Sequence, residues 1–480
     1  MSSHDLVIRN ATVIDGSGAP RYLADIGVTG DRIAAIGRDL AEGKQELDAS
    51  GLIAAPGFID AHTHDDRLML SAPEMAPKVS QGITTLIAGN CGISLAPAPL
   101  GMRRPVTPPL DLLDDEGSWF RFPKFADYVE ALAASPPATN CALLVGHSAL
   151  RVQTMSDVNR PATAAEQAEM RRLADEALAA GAIGISTGLY YEPARAATTE
   201  EVIEVCRPLK PRGGLYCTHM RDEADDITDS LEETFRIGRE VGVRVVISHH
   251  KVAGLGNHGR SRETLALIER CMHQQPVSLD CYPYAASSTI LSYDRTLGAS
   301  KTLVTWSRTH PEMAGMDVVA IAGKMGKPVR EAVEALLPAG AIYFSMDEAD
   351  VQRILAFPNT MVGSDGLPHD SSPHPRLWGS FPRVLGHYAR DVGLFTLETA
   401  VHKMTGLTAR TFGLQDRGLI KDGMAADITL FDAATVGDAA TFESPIRAAH
   451  GIGTVIVNGE VVWRGGRATG SRPGRVLARQ

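Results

Sequence analysis

Short runs of apolar residues, separated by turn residues, occupy both ends of the chain. The predicted strands are 6–8, 26–29, 32–36, 427–431, 454–457 and 460–463. The last two are joined by Asn458-Gly459, which is the strongest short hairpin signal. Because chain ends often lie close together, the pattern predicts that residues 1–60 and 415–480 combine into one small all-β domain, a sandwich or barrel.

The middle of the chain alternates strand-like and helix-like segments. Helical periodicity marks residues 164–180, 200–207, 230–240, 263–272 and 397–404, and apolar strand-like runs mark 181–185, 214–217, 243–247, 277–281, the vicinity of Tyr343, and 361–362. Repeated units of this kind favour a parallel sheet, and residues 61–414 accommodate an α/β fold of the (β/α)8 TIM-barrel type. A doubly wound sheet is the alternative, but no GxGxxG or phosphate-binding loop follows the first strand.

The stretch 287–341 breaks this alternation. It contains Trp306, His310-Pro311 and a helical segment at 329–337, with no clear strand-helix unit. We interpret it as an insertion packed over the barrel mouth, as a lid would be. An irregular pair of barrel helices is the alternative.

Composition narrows the class of protein. Hydrophobic residues make up 44% of the 480 residues and the formal net charge is −10, so the chain is typical of a globular protein and lacks the basic surface that nucleic acids or anionic membranes require. The first five residues lack a basic and apolar leader, and no apolar run approaches the roughly 20 residues needed to cross a bilayer. We therefore expect a cytoplasmic protein, in which most of the six cysteines are small core residues.

Two histidines follow the strand-like segment 51–60. His62 and His64 are two positions apart, and residues i and i+2 of a strand point to the same face. They can therefore bind one metal ion at the carboxyl end of that strand, although a His-X-His pair alone is weak evidence for a metal site.

Further polar residues follow other predicted strands. Cys91 follows 84–87, His219 follows 214–217, His249 follows 243–247, and Asp365 follows 361–362. In a barrel these strand ends meet at one mouth, where a cysteine and two histidines form an open catalytic zinc arrangement. A nearby carboxylate can act as general base and then general acid. Taken singly, each residue also has an ordinary structural interpretation, as a buried cysteine, a core histidine or a turn aspartate.

The sequence resembles the D-aminoacylases (N-acyl-D-amino-acid deacylases) of the metal-dependent amidohydrolase superfamily over nearly its whole length. Five segments carry the resemblance: His62-Thr63-His64-Asp65-Asp66, Gly89-Asn90-Cys91-Gly92-Ile93-Ser94, Thr218-His219-Met220-Arg221-Asp222-Glu223, Ser248-His249-His250-Lys251 and Gly363-Ser364-Asp365-Gly366-Leu367-Pro368-His369-Asp370. The resemblance implies a barrel with a β-domain built from both termini, and hydrolysis of N-acyl-D-amino acids to a carboxylate and a free D-amino acid. Its implied partner is thus a small-molecule substrate.

The resemblance also implies a ligand set. The tightly held Zn²⁺ would lie on Cys91, His219 and His249, with a second, weaker position on His62, His64 and Asp365. The substrate carboxylate would be held by Lys251, Tyr282, Ser288 and Arg376, and the side-chain pocket would be lined by Tyr190, Tyr343 and Met346. Many superfamily relatives bridge two metals with a carboxylated lysine, and Cys91 takes that place here, which puts two-metal catalysis in doubt.

The residue chemistry is consistent with these assignments. A thiolate ligand favours zinc over magnesium or calcium, Asp365 can carry the proton from water to the leaving amine, and Arg376 suits a bidentate grip on a carboxylate. No additional arginine or lysine stands beside the pocket positions in the sequence, which favours neutral or hydrophobic D-amino acids. A cyclic-amide hydrolase of the hydantoinase and dihydroorotase type, or a non-catalytic structural relative, are the alternatives.

Overall fold

The computed structural model describes residues 4–98 and 106–479. Residues 1–3 and 480, at the outer limits of the predicted terminal domain, lie outside the described residues. Three β-sheets contain the strands, and sixteen α-helices accompany them within the described part of the chain. None of those helices has the length and apolar character needed to cross a membrane.

Strands from both chain ends form one nine-stranded sheet. Its members are β1 (His4–Val13), β2 (Tyr22–Thr29), β3 (Arg32–Gly37), β4 (Gly43–Asp48), β5 (Ile53–Pro56), β17 (Ile428–Phe431), β18 (Ile452–Val457), β19 (Glu460–Arg464) and β20 (Arg467–Ala468). The two halves meet where β5 pairs antiparallel with β17. The hairpin predicted at Asn458-Gly459 joins β18 to β19, with Asn458 at a φ of 49° as the tight turn requires.

Eight parallel strands form the barrel. They are β6 (Phe58–Asp60), β7 (Ile83–Ala88), β8 (Asn140–Gly146), β9 (Gly184–Gly188), β10 (Leu215–His219), β11 (Val245–Ile247), β12 (Val277–Cys281) and β16 (Thr360–Val362). Hydrogen bonds from Ala61 N to Val362 O (3.1 Å) and from Asp365 N to His62 O (2.8 Å) join the last strand to the first. The predicted TIM-like barrel is therefore confirmed.

The segment 51–60, predicted as one strand, divides between the two sheets. β5 belongs to the terminal sheet and β6 to the barrel, and the chain passes from one to the other at Gly57. Gly57 N donates to Asp427 O at 2.8 Å, and a Cβ on Gly57 would lie 2.2 Å from the Thr84 side chain. Only glycine fits this crossing point.

Most of the helices alternate with the barrel strands and cover them, and the three helices within 293–336 belong to the insertion. They are α1 (Leu68–Ser71), α2 (Ala76–Val79), α3 (Phe125–Ala134), α4 (His147–Thr154), α5 (Ala164–Ala179), α6 (Glu192–Arg195), α7 (Thr199–Cys206), α8 (Ile227–Val241), α9 (Ser261–Met272), α10 (Tyr293–Leu297), α11 (Val318–Met325), α12 (Val329–Leu336), α13 (Glu348–Ala356), α14 (Arg376–Arg383), α15 (Leu397–Met404) and α16 (Gly406–Phe412). All six predicted helical segments are present, with α15 matching its predicted bounds. The stop predicted at Gly242 is a left-handed cap with φ 76°.

The stretch predicted as an insertion contains a three-stranded antiparallel sheet that the sequence pattern did not predict. Its strands are β13 (Ser287–Ile290), β14 (Thr302–Ser307) and β15 (Ala339–Tyr343), ordered β13-β15-β14. The strand predicted near Tyr343 exists, but it belongs to this sheet and not to the barrel. Thr289 Oγ1 lies 3.0 Å from the hydroxyl of Tyr191, which follows β9, so the sheet contacts the carboxyl end of the barrel.

Candidate metal centre and active site

The carboxyl ends of five barrel strands bring the predicted metal ligands together. Cys91 Sγ lies 3.3 Å from His249 Nε2, 3.8 Å from His219 Nδ1 and 3.3 Å from His62 Nε2. His64 Nε2 is 3.2 Å from Asp365 Oδ1. All of these side chains are buried. The predicted convergence of residues up to 303 positions apart, His62 and Asp365, is thus present in the fold.

The donor atoms suit zinc. Cys91, His219 and His249 form one group, and His62, His64, Cys91 and Asp365 form a second, with Cys91 in both. Zinc bonds of about 2.3 Å to sulfur and 2.0–2.1 Å to nitrogen at tetrahedral angles place those atoms about 3.5 Å apart. The sulfur-nitrogen separations of 3.3 and 3.8 Å in the first group lie on either side of that value.

Three of these residues have a backbone conformation that non-glycine residues rarely adopt. The φ angles are 54° at Cys91, 35° at His249 and 48° at Asp365, and only four other non-glycine residues have positive φ in the described chain. Strained backbone of this kind concentrates at functional sites, where the surrounding structure enforces it. At each of these positions the chain turns sharply at the end of a strand, which directs the side chain into the shared centre.

The loop carrying Cys91 is fixed from beneath. Ser186, on β9, donates its hydroxyl to Gly89 O at 2.5 Å and accepts the N–H of Gly92 at 2.9 Å. Gly89 has a φ of 81°, and a Cβ there would lie 2.1 Å from Leu144 O. The Gly-Asn-Cys-Gly segment therefore uses glycine where the loop touches the barrel backbone.

Glu223 faces both histidines of the first group. Its carboxylate oxygens lie 3.5 Å from His219 Nε2 and 3.1 Å from His249 Nδ1, the ring nitrogens that face away from Cys91. Lys251 Nζ donates to Glu223 Oε1 at 2.6 Å. Burial alone would raise the pKa of Glu223, but the neighbouring His219 and Lys251 hold it well below its usual range. This carboxylate-histidine arrangement fixes ring orientation and raises ligand basicity.

The ligand side chains are in protonation states set chiefly by burial. Burial raises the pKa of the Cys91 thiol well above its usual range, and Asp365 raises it further. Burial lowers the pKa of His219 and His249, which keeps both rings neutral. Neutral imidazoles are ready to coordinate, whereas Cys91 must lose its proton when a metal binds.

Asp365 is held as a carboxylate by its neighbours. Its Oδ2 lies 2.9 Å from Arg376 Nη1, and its Oδ1 faces His64. Burial alone would raise the pKa of Asp365, but Arg376 and His249 hold it well below its usual range. A buried, ionised carboxylate beside the metal ligands is suited to accept a proton.

Polar groups on one side of Asp365 lack partners within the described protein. The hydroxyls of Tyr282 and Ser288 and the Nε of Arg376 are buried and make no hydrogen bond there. The Arg376 guanidinium lies 4.5 Å from the centre of the Tyr282 ring, and Lys251 Nζ lies 5.8 Å from the same ring centre. Buried polar groups without partners are costly, so this side of the site is suited to an anionic ligand.

Glu223 lines a cavity of about 220 Å³. Tyr190 and Tyr343 line it, as predicted for the side-chain pocket. The Tyr343 hydroxyl donates to Ile290 O at 2.8 Å, so its ring and not its hydroxyl is offered to the cavity. Met346 does not line this cavity; it packs instead against Tyr282 and Tyr284.

The sequence model of the Amidohydrolase family matches residues 45–277 and 292–463. The chain belongs to the amidohydrolase family. It is 60% identical to a D-aminoacylase of Alcaligenes xylosoxydans xylosoxydans, covering 99% of this chain and 98% of that one, and 54% identical to an N-acyl-D-aspartate deacylase of the same organism, covering 99% and 95%.

Solved structures extend the comparison. A D-aminoacylase crystal structure, described as defining a novel subset of amidohydrolases, superposes with a TM-score of 0.97 at 59% identity and covers 99% of this chain and 100% of that one. An N-acyl-D-glutamate deacylase from Bordetella bronchiseptica, complexed with zinc and a phosphonate mimic of the tetrahedral intermediate, gives 0.95 at 47% identity, covering 99% of both. A D-hydantoinase gives 0.59 at 15% identity, covering 99% of both, a likeness of fold alone.

The predicted preference of this amidohydrolase for neutral or hydrophobic side chains depended on the absence of a cation beside the pocket, and that premise is wrong. A cation does lie beside the pocket residues: the Arg295 guanidinium stacks 4.0 Å from the centre of the Tyr190 ring, and its Nε donates to the Tyr190 hydroxyl at 2.8 Å. Arg295 belongs to α10 of the insertion, 105 positions away from Tyr190. Its contact depends on how the insertion folds over the barrel, which local sequence does not reveal.

Two further carboxylates of the amidohydrolase site were not singled out from the sequence. Glu223 stands within a quoted motif, four positions after His219, and that spacing was the available signal. Asp280, on β12, accepts the N–H of His249 at 2.9 Å and lies 3.5 Å from His62 Nδ1. Asp280 is the penultimate residue of a strand that carries no motif, so only the closed barrel brings it to the site.

Proposed function

We propose that this amidohydrolase catalyses zinc-dependent hydrolysis of N-acyl-D-amino acids to a carboxylate and a free D-amino acid. The observation that carries the proposal is the Cys91–His219–His249 group with the ionised Asp365 beside it. Full-length relatives named as D-aminoacylase, N-acyl-D-aspartate deacylase and N-acyl-D-glutamate deacylase support the reaction class and the D configuration.

Cys91, His219 and His249 would hold the catalytic zinc, and His62, His64 and Asp365 a second, weaker position. Zinc bound there would polarise the acyl carbonyl and bring the pKa of a water molecule toward neutrality. Asp365 then accepts a proton from the attacking water on its carboxylate. It returns that proton to the amide nitrogen, so that the leaving group departs as a neutral amine.

The substrate α-carboxylate is assigned to the unpartnered polar groups. Arg376 offers a planar, bidentate grip, and the hydroxyls of Tyr282 and Ser288 each offer one donor. Lys251 adds a positive charge, although its Nζ also binds Glu223 at 2.6 Å.

We also propose a preference for neutral or hydrophobic D-amino acids. The 220 Å³ cavity is lined by the rings of Tyr190 and Tyr343, with Arg295 stacked on the former. Asp222 and Asp294 line the same cavity against the one guanidinium, together with Glu223, whose charge is balanced by Lys251. An acidic substrate side chain would therefore meet net negative charge, whereas an apolar one would pack against the rings.

Paired substrates test the reaction. Zinc-loaded protein is incubated with N-acetyl-D- and N-acetyl-L-methionine, and released amine is measured, with chelator-treated protein as the control. We expect amine only from the D form and only with metal; comparable turnover of the L form contradicts the assignment. Ring-opening assays on hydantoin and dihydroorotate test the cyclic-amide alternative, for which we expect no turnover.

A second panel tests the preference. We expect kcat/KM to be highest for N-acetyl-D-methionine and D-leucine and at least tenfold lower for D-aspartate and D-glutamate derivatives. Acidic substrates that are favoured in the wild type and lose their advantage in Arg295→Ala would show instead that Arg295 selects them. We place the protein in the cytoplasm, where its six buried, unpaired cysteines stay reduced; cell fractionation tests this location.

A further inference from the structure

A single buried lysine links the two loops that carry one face of the metal centre. Lys78 lies on α2 and is fully buried. Its Nζ is 3.0 Å from Asp60 Oδ2, 3.0 Å from Asp65 Oδ2 and 2.8 Å from Ser364 Oγ. The contacts of Lys78 with Asp60 and Ser364 are hydrogen bonds, and its contact with Asp65 is a buried ion pair.

Each partner of Lys78 adjoins a candidate ligand. Asp60 ends β6, two residues before His62; Asp65 directly follows His64; Ser364 directly precedes Asp365. The polar contacts of Lys78 are thus with residues that adjoin His62, His64 and Asp365 in the sequence. These are the members of the second group that belong to the first and last barrel strands.

Asp60 extends the link to the backbone. Its second oxygen, Oδ1, accepts the N–H of Ser364 at 2.8 Å and that of His62 at 3.3 Å. The pair of Lys78 and Asp60 thus fixes the main chain just before Asp365 and at His62 itself. Because Asp365 has a left-handed φ of 48°, its side chain points correctly only while that main chain is held.

Charge makes Lys78 necessary to this arrangement. Asp60 and Asp65 are both fully buried, and Lys78 is their common cation among the described residues. Without it two carboxylates would repel each other in a region that excludes water. The loops could then relieve the repulsion by moving apart, which would carry His64 and Asp365 away from each other.

We propose that Lys78 is a positioning residue that holds His62, His64 and Asp365 in the relative positions that proton transfer requires. The inference rests on the proposed function, because these relative positions matter for catalysis only if Asp365 acts as the base. Lys78 stands apart from the Cys91–His219–His249 group and from the side of the site assigned to the substrate carboxylate.

The test compares Lys78→Met, Lys78→Arg and Ser364→Ala with wild type on N-acetyl-D-methionine. We expect kcat to fall about 10–100-fold in Lys78→Met, the range found when groups supporting metal ligands are removed. Ser364→Ala, which removes one of the three contacts, should fall less, and Lys78→Arg should recover part of the activity. KM and the tightly bound zinc, measured by elemental analysis, should stay within twofold of wild type.

Lys403 supplies a matched control. It is another buried lysine, and its Nζ binds the backbone carbonyls of Phe357, Pro358 and Thr360 with no carboxylate partner among the described residues. Lys403→Met should lower the melting temperature but leave kcat per folded molecule unchanged. The proposal is overturned if Lys403→Met reproduces the kcat loss. It is also overturned if KM and the content of tightly bound zinc both change by more than twofold in the Lys78 variants, because Lys78 is then merely structural.

Two further readouts keep the result interpretable. If Lys78→Met does not fold, Ser364→Ala decides, and a kcat within twofold of wild type overturns the proposal. A wild type without turnover on any N-acyl-D-amino acid defeats the proposed function separately. Lys78 is then judged by equilibrium dialysis against zinc. We expect Lys78→Met to bind the first equivalent of zinc like wild type and the second more weakly. If both equivalents bind as they do in wild type, the proposal is overturned.

Discussion

Arg376 Nη1 lies 2.9 Å from Asp365 Oδ2, so the residue assigned to the substrate carboxylate is in contact with the residue assigned as the base. The guanidinium also donates to Ser288 O at 3.0 Å, which aligns it with the insertion. One side chain thereby connects substrate recognition with the charge state of the base. Its replacement is expected to affect both.

Arg376→Met should raise KM and shift the pH dependence of the reaction. Loss of a charged hydrogen bond worth about 1.5–3 kcal/mol raises KM at least tenfold. Arg376 is the largest influence that lowers the pKa of Asp365, so its removal raises that pKa and moves the acidic limb of kcat/KM to higher pH. Arg376→Lys keeps the charge and should raise KM with little movement of the limb. An unmoved limb in Arg376→Met would contradict the coupling.

Cys91→Ala and Asp365→Ala should separate metal binding from proton transfer. Cys91 belongs to both candidate ligand groups, and Asp365 to the second alone. We expect Cys91→Ala to lose the tightly bound zinc, and Asp365→Ala to keep it while losing turnover. Elemental analysis of the purified proteins measures this directly. Full zinc content after the Cys91 change would show that the ligand assignment is wrong.

The sequence predicted those residues of the site that terminate apolar strands or stand in motifs. Cys91, His219, His249 and Asp365 could be placed because all strands of a barrel end at one mouth. Arg295 and Asp280 could not, since their partners Tyr190 and His62 lie far away in the chain and no motif marks them. Lys78 was equally invisible, because a lysine in a short helix normally faces solvent.

The fold was predictable to a similar extent and for a related reason. Barrel strands follow helical segments at regular intervals, so β12 was predicted with its observed bounds after the helix that precedes it. Strands β13 and β14 contain mostly serine, threonine and mixed residues, and each pairs with β15, which lies more than 30 positions further on. Without a short hairpin between partners, no local signal indicates this pairing.

Glu223→Gln should weaken zinc binding without removing a ligand. The change keeps size and shape but removes the charge shared by His219, His249 and Lys251. Replacement of such supporting carboxylates costs about 10–100-fold in metal affinity or activity. Competition with a chelator measures the zinc affinity; Glu233→Gln, a partly exposed glutamate paired with Arg221, is the control and should bind zinc like wild type. Equal affinities in all three proteins would exclude the orienting role.

A buried ion pair away from the metal centre predicts how the stability responds to acid. Glu201 is fully buried, forms an ion pair with Arg151 and lies 3.4 Å from His147 Nε2. Burial alone would raise the pKa of Glu201, but His147 and Arg151 hold it at about 2. A depressed carboxyl pKa stabilises the fold above the unfolded value near 4.3, and this contribution is lost as pH falls from about 5 towards 2.

Glu201→Gln should therefore destabilise the protein at pH 7 and make less difference in acid. Breaking a buried pair costs about 3 kcal/mol or more, because Arg151 is left without its carboxylate. Thermal melts at pH 7, 4 and 3 should show the gap in Tm between wild type and variant narrowing as pH falls. Glu166→Gln is the control: Glu166 also has a pKa of about 2, but it pairs with Arg160 near the surface, where pairing contributes little. A gap of constant size across this pH range would show that the charge of Glu201 does not stabilise the fold.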